Sequence, residues 1–318
     1  MTGRRRPVFL TGLLLLGGTL GVALYFKGTQ PPLPPTLAPA FQTLGTPVKT
    51  LDRLVGKVLP VDALDERELG EVIRTHYETG INVYDADYLY VNELLDDLAR
   101  RATKPFAYQA YLLDYPGPNA MALPGGVILV TSGLLDTLAS EAELVSVLSH
   151  ELGHIEQGHC FDAVKFALTA DKIGAAPLGK LADMAVNLLV RHSFSKTQEA
   201  EADEYSYTLL VNSEYDPSAT SDAFASLLAY LEDRGASPPA SDLNPIRDYF
   251  MSHPPLELRV ARYREEARLW WSLHDGERYI GKANLRERRS LYVDPRSTEW
   301  TSGAAPDTNP ERMENNAE

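Results

Sequence analysis

The chain has 318 residues, 44% of them hydrophobic, and a formal charge of -14. That length and apolar content suit one large folded domain or two small ones, and the acidic balance repels phosphate backbones, so no nucleic-acid partner is expected. Cys160 is the only cysteine, which excludes an intrachain disulfide framework, a cysteine-built structural zinc site and a lipid-modified N-terminus.

At the N-terminus, Arg4, Arg5 and Arg6 precede an uncharged run in which Val8 to Phe26 supplies 19 residues. That is about the length that spans the hydrocarbon core as a helix. The arginines favour a cytoplasmic N-terminus and place the rest of the chain across the membrane. Residues 1–27 therefore read as a signal anchor. The alternative is a signal peptide cleaved after Gly21-Val22-Ala23. The apolar run continues through Leu24, Tyr25 and Phe26, which favours the anchor. Residues 28–60 read as a linker, because Pro31, Pro32, Pro34, Pro35, Pro39 and Pro47 give its first part an extended, semi-rigid character.

Residues 61–293 read as the folded domain. Apolar positions from Leu64 to Leu98 predict helix over 62–102. Residues 106–113 read as a strand, Pro116-Gly117-Pro118-Asn119 as a turn, and Val127 to Thr131 as a second strand. Glu141 to His159 reads as one helix. Further helix is expected from about Phe161 to Val190 with a break at Gly174 to Gly179, from near Thr197, after Pro217, and from Glu257 to Trp271. Pro238-Pro239 marks a loop. Residues 294–318 read as a polar, disordered tail. The fold class is thus mainly α with a small β-sheet.

The sequence His150-Glu151-Leu152-Gly153-His154 carries the chemistry. On a helix, residues four apart share a face. Two imidazoles there can bind one Zn²⁺, and the glutamate beside the first histidine reaches the water that the metal activates. A catalytic zinc usually takes three protein ligands and keeps one open position. A His-x-x-Gly-x-x-His continuation would supply the third, but Gln157 and Cys160 occupy its glycine and last histidine positions. His159 would lie about 140° round a continuous helix from His154 and off that face, so it reads as a polar helix-end residue. In Glu199-Ala200-Glu201-Ala202-Asp203, the outer acids share one helical face. Glu199 can ligate zinc, Asp203 can accept the second ring N–H of a ligand histidine, and Glu201 reads as solvated. Ser252-His253-Pro254-Pro255 followed by Arg259 is either a constrained loop and guanidinium that face a tetrahedral oxyanion, or a helix-capping loop with a surface arginine.

Together these blocks resemble the zinc metallopeptidase family that includes the CAAX prenyl protease, the HtpX heat-shock protease, mitochondrial Oma and periplasmic BepA-type proteases. The resemblance covers about residues 65–270. It rests on Asn119-Ala120-Met121-Ala122-Leu123-Pro124-Gly125-Gly126, the His150 to His154 motif with Glu143-Leu144 upstream, Glu199 to Asp203, and Ser252-His253-Pro254 with Arg259. Met121 stands where the family often has phenylalanine, and Lys196 where arginine is common. The resemblance implies a gluzincin-like domain holding one Zn²⁺ by His150, His154 and Glu199, with Glu151 as base. It implies that His253 and Arg259 assist at the substrate carbonyl. It also implies that Asn119 to Gly126 leads into an edge strand beside the cleft, where a peptide can dock by β-augmentation. Charged residues such as Lys165, Asp171 and Lys180 argue against a second span between Phe161 and Val190. The expected protein is then an endopeptidase anchored once in a bacterial inner membrane and facing the periplasm, or soluble there after signal cleavage. Its expected substrates are unfolded or misassembled envelope proteins. A chaperone-like or binding protein on the same fold is the alternative.

Overall fold

The computed structural model describes residues 63–78, 82–165, 186, 188, 189, 194–233 and 256–302. The apolar N-terminal run, the proline-rich linker, most of Phe161 to Val190, Pro238-Pro239 and His253 lie outside the described residues. No helix among the described residues is long and apolar enough to cross a membrane.

The described chain is mainly helical, as the apolar periods imply. Helix α1 is Ala63–Glu78 and α2 is Ala86–Ala99. The helical stretch expected over 62–102 is thus made of two helices. Its second half restarts because the Asp85 side chain accepts from the backbone N–H groups of Asp87 and Tyr88 and caps α2. Strands β1 (Gln109–Leu113), β2 (Ala120–Leu123) and β3 (Val127–Thr131) form a sheet in the order β1-β3-β2. β1 runs parallel to β3, and β2 runs antiparallel to it. β1 starts at Gln109 rather than 106 because Gln109 already pairs with Val127, the first residue of β3.

Three devices set the position of this sheet. Gly125 and Gly126 adopt φ of 76° and 93° in the turn between β2 and β3, a region open mainly to glycine. A Cβ on Gly125 would lie 2.5 Å from Gly70 Cα, so α1 crosses the turn backbone to backbone. Arg74 of α1 then donates to the carbonyls of Ala107 and Gly125 at 2.7 and 2.9 Å. On the far edge, the Asn92 side chain meets Ala110 of β1. It donates to the Ala110 carbonyl at 3.0 Å and accepts the Ala110 N–H at 2.9 Å. An amide thus closes one sheet edge as a neighbouring strand would, while β2 forms the other edge among the described residues.

After the short α3 (Ser132–Thr137) comes α4 (Glu141–Glu156), in which every residue from Glu141 to Ile155 is buried. It is the central helix, packed by α2, β2, α5 (Lys196–Val211) and α6 (Ala219–Asp233). α7 (Leu256–Leu273) packs on α6. α4 ends at Glu156, not at His159, because Gly158 takes φ 79° and turns the chain before helix resumes over 159–165.

The C-terminal segment is ordered further than its polarity suggests. β4 (Arg278–Tyr279) pairs with β5 (Trp300–Thr301), and α8 (Lys282–Glu287) lies between them in sequence. The tail expected from residue 294 therefore contributes structure up to Thr301. Trp300 packs edge-on against Tyr279, and the Glu299 carboxylate accepts from the N–H groups of Lys282 and Ala283 at 2.8 and 3.0 Å. The carbonyls of Gly281 and Ile280 accept from the first N–H groups of α4, at Glu141 and Ala142.

Candidate active site

The site lies where α4 and α5 cross. Ser140 caps α4, and Ser195 caps α5 through a reciprocal capping box with Gln198. The helices meet along small residues. A Cβ on Gly153 would lie 3.1 Å from both Cα and O of Ala202, and Ser206 Oγ donates to the Ser146 carbonyl at 2.8 Å. This close approach brings His150 and His154 of α4 against Glu199 and Asp203 of α5.

His150 Nε2 lies 3.1 Å from His154 Nε2 and 3.7 Å from Glu199 Oε2, and His154 Nε2 lies 3.4 Å from Glu199 Oε1. Ligands at about 2.0–2.1 Å from one tetrahedral metal sit about 3.3 Å apart, so this donor set fits a zinc ion. All three residues are buried. Two imidazole lone pairs and a carboxylate converging in a desolvated place are the groups such a cation requires.

Asp203 accepts from His150 Nδ1 at 2.9 Å. This leaves the Nε2 lone pair of His150 turned toward the metal position. Burial acts to raise the Asp203 pKa, but the Arg259 guanidinium and the His150 ring hold it below its ordinary value. Arg259 is buried on α7. Its Nε donates to Asp203 Oδ2 at 2.9 Å, its Nη2 bonds Asp203 Oδ1, and its Nη1 lies 3.5 Å from Glu199 Oε2. The guanidinium also rests 3.9 Å over the Phe224 ring. The reading of Arg259 as a surface residue of a helix cap is thus excluded.

Glu151 is fully buried, and its Oε2 accepts from the backbone N–H of Ala122 at 2.8 Å. That N–H points away from β3, so the Glu151 carboxylate is held by the outer side of β2. Of the other residues in the Asn119 to Gly126 block, Asn119 precedes β2, and its carbonyl accepts from Thr131 N at 3.0 Å. Ala120, Met121 and Leu123 lie in β2, and Pro124, Gly125 and Gly126 form the turn to β3.

His159 departs from expectation. The turn at Gly158 brings its Nδ1 to 3.0 Å from His154 Nδ1, and its Nε2 lies 3.0 Å from Glu201 Oε2. It is buried rather than a polar helix end. Burial holds its pKa below the usual imidazole value against the opposing pull of Glu201. Glu201 is half exposed, as expected, but it is paired. Phe194 stacks on the His154 ring at 4.0 Å. The signal for His159 in the sequence is Gly158, a residue suited to the left-handed position that ends a helix.

The chain matches the model of peptidase family M48 over residues 86–267. It is 35% identical over 144 residues to the metalloprotease LoiP of Escherichia coli (strain K12), covering 42% of this chain and 56% of that protein. To the metalloprotease YcaL of the same organism it is 30% identical over 175 residues, covering 51% of this chain and 62% of that protein. To the beta-barrel assembly-enhancing protease of Yersinia pestis it is 28% identical over 200 residues, covering 56% and 38%. The chain spans 56% of the first of these relatives and less than two thirds of the other two. The family model covers more than half of the sequence and takes in α4 and α5 whole. The chain belongs to peptidase family M48.

Proposed function

We propose that the chain is a zinc-dependent endopeptidase that hydrolyses polypeptides in the bacterial envelope, on unfolded or misassembled proteins. The observation that carries this reading is the position of Glu151. Glu151 follows His150 of the His150, His154 and Glu199 cluster in sequence, and its carboxylate is tied at 2.8 Å to the outward N–H of Ala122 on β2. A peptide laid along β2 as an added strand would pass directly beside that carboxylate.

His150, His154 and Glu199 would hold the metal, and Asp203 would orient His150. Zinc supplies Lewis-acid activation of a water molecule and of the scissile carbonyl. Glu151 takes the proton of the attacking water and passes it to the leaving amine. The outward main-chain groups of Ala120 and the carbonyl of Ala122, whose N–H is taken by Glu151, align the peptide, while Asn119, Met121, Leu123, Pro124, Gly125 and Gly126 shape that edge. Arg259 turns Nη1 toward Glu199 and can donate to a developing oxyanion from there. His253 assists at the substrate carbonyl.

The envelope assignment draws on the apolar Val8 to Phe26 run and on similarity to a protein named for β-barrel assembly. In this reading residues 1–27 anchor the chain once in the inner membrane, with the catalytic domain in the periplasm. Residues 28–60 serve as the spacer.

The test is Glu151→Gln in the full-length protein. It is expected to keep one zinc per chain and lose peptide cleavage. Retained cleavage would overturn the proteolytic mechanism. Full biological activity of an inactive Glu151→Gln protein would favour a chaperone-like role on the same fold.

A further inference from the structure

Among the described residues, His159 is the histidine that packs on a candidate ligand without itself being one. Its surroundings fix where protons lie, given that His154 ligates through Nε2, as proposed above. A ligating Nε2 presents a lone pair, so the proton of a neutral His154 ring is on Nδ1. That nitrogen lies 3.0 Å from His159 Nδ1, which must therefore accept. The His159 proton is then on Nε2, which lies 3.0 Å from the carboxylate of Glu201, a group that only accepts.

We infer that His159 is a positioning residue of the metal centre, and that Glu201, through His159, sets the tautomer and ring orientation of His154. The two histidines are thereby held by different means. His150 is held directly by Asp203 at 2.9 Å, whereas His154 is held by an acid one imidazole further out. Phe194, stacked at 4.0 Å, covers one face of the His154 ring, whose Nδ1 edge meets His159. Gly158, at φ 79°, is the turn that lets His159 reach back to the helix it has just left.

Partners of this kind are worth about 10–100-fold in metal affinity. The zinc dissociation constant should be measured by chelator competition on the full-length protein and on His159→Leu, His159→Asn and Glu201→Ala, each checked for helix content. His159→Leu is expected to bind zinc about 10–100-fold more weakly. His159→Asn should recover part of that loss, because an amide oxygen can accept from His154 Nδ1. Glu201→Ala, at a residue half exposed on α5, should weaken binding by a smaller factor. Long-range proton–nitrogen spectra of the zinc-loaded protein should place the His159 proton on Nε2 and the His154 proton on Nδ1. Unchanged zinc affinity in His159→Leu and Glu201→Ala, or a His159 proton on Nδ1, overturns the inference. Should His159→Leu fail to fold, the Glu201→Ala affinity and the spectrum decide. Unchanged affinity in these variants beside a zinc-loaded parent overturns this inference alone. A parent chain that binds no zinc overturns the metal reading as well.

Discussion

Gly153 of α4 lies against Ala202 of α5 so closely that a Cβ on the glycine would sit 3.1 Å from Ala202 Cα and from the Ala202 carbonyl oxygen. The contact is one residue from His154 and three from Glu199 in sequence. The distance between the helices therefore sets the distance between candidate ligands on opposite sides of the metal position. Gly153→Ala is expected to push α5 outward by a few tenths of an ångström and to weaken zinc binding. Helix propensity alone favours alanine by about 1 kcal/mol, so an overall gain in stability with unchanged zinc affinity would show that the helices have room to spare. Chelator competition and thermal unfolding on the same preparation separate the two results.

Arg259 is expected to act in two ways that one pair of measurements can separate. Its guanidinium makes two bonds to Asp203, and both residues are buried. Removing one partner of a buried ion pair costs about 3–5 kcal/mol, because the other charge is left uncompensated. Arg259→Ala should therefore unfold at markedly lower temperature. Arg259→Lys keeps the charge but loses the planar fork, so its stability should fall by less. If Nη1 donates to the oxyanion, turnover per zinc-loaded folded molecule should also drop by about 100- to 1000-fold in Arg259→Lys. Unchanged turnover per loaded molecule would remove Arg259 from the reaction and leave it only the task of holding Asp203.

The readability of this fold in its sequence varies with how local the cause is. His150 to His154 and Glu199 to Asp203 declare themselves because i, i+4 spacing places each pair on one helix face, and the packing of α4 on α5 brings those faces together. Ser195 and Pro217 mark helix starts through local backbone chemistry, and α5 and α6 begin beside them. The ion pair of Arg259 with Asp203 joins residues 56 apart in sequence, so nothing local signals it. β4 and β5 have two residues each, too short to show any period, and they pair across most of the C-terminal segment. His159 is hidden because the apolar period of α4 gives no sign that the helix stops before it. On a continuous helix His159 would face away from His154, but the turn at Gly158 brings it back.

Asn92 is expected to keep the β1 edge of the sheet closed. Its side chain satisfies both main-chain groups of Ala110, a fully buried residue of β1. Asn92→Ala leaves a buried donor and a buried acceptor unpaired, each costing about 1–3 kcal/mol. Denaturant unfolding should show a loss in that range or above. The variant also uncovers a second sheet edge, so its tendency to self-associate on light scattering should rise. An unchanged midpoint would mean that water or another group replaces the amide.

Glu141 should make stability fall as pH rises from about 4.5 to about 7. It is the first residue of α4, fully buried, and its Oε1 accepts from the Tyr215 hydroxyl at 2.8 Å and from Leu291 N at 2.9 Å. Burial pushes its pKa up from 4.5 to about 7, against these two hydrogen bonds, which act to lower it. The sign follows from proton counting. Between those two values the folded chain holds a proton at Glu141 that the unfolded chain has released. Stability therefore decreases with rising pH across that window and is flat with respect to this group above it. At about 1.36 kcal/mol for each unit of difference, the loss amounts to about 3 kcal/mol. Glu141→Gln removes the titration and keeps an oxygen that can accept from Tyr215 and Leu291. Other groups titrate in the same range, so the quantity to read is the difference between the two proteins in urea midpoint at pH 5 and at pH 8. The glutamine variant is expected to lose less stability on going from pH 5 to pH 8 than the parent chain. Parallel pH profiles would show that Glu141 is ionised throughout, held by the hydrogen bonds at the N-terminus of α4 rather than neutralised by its burial.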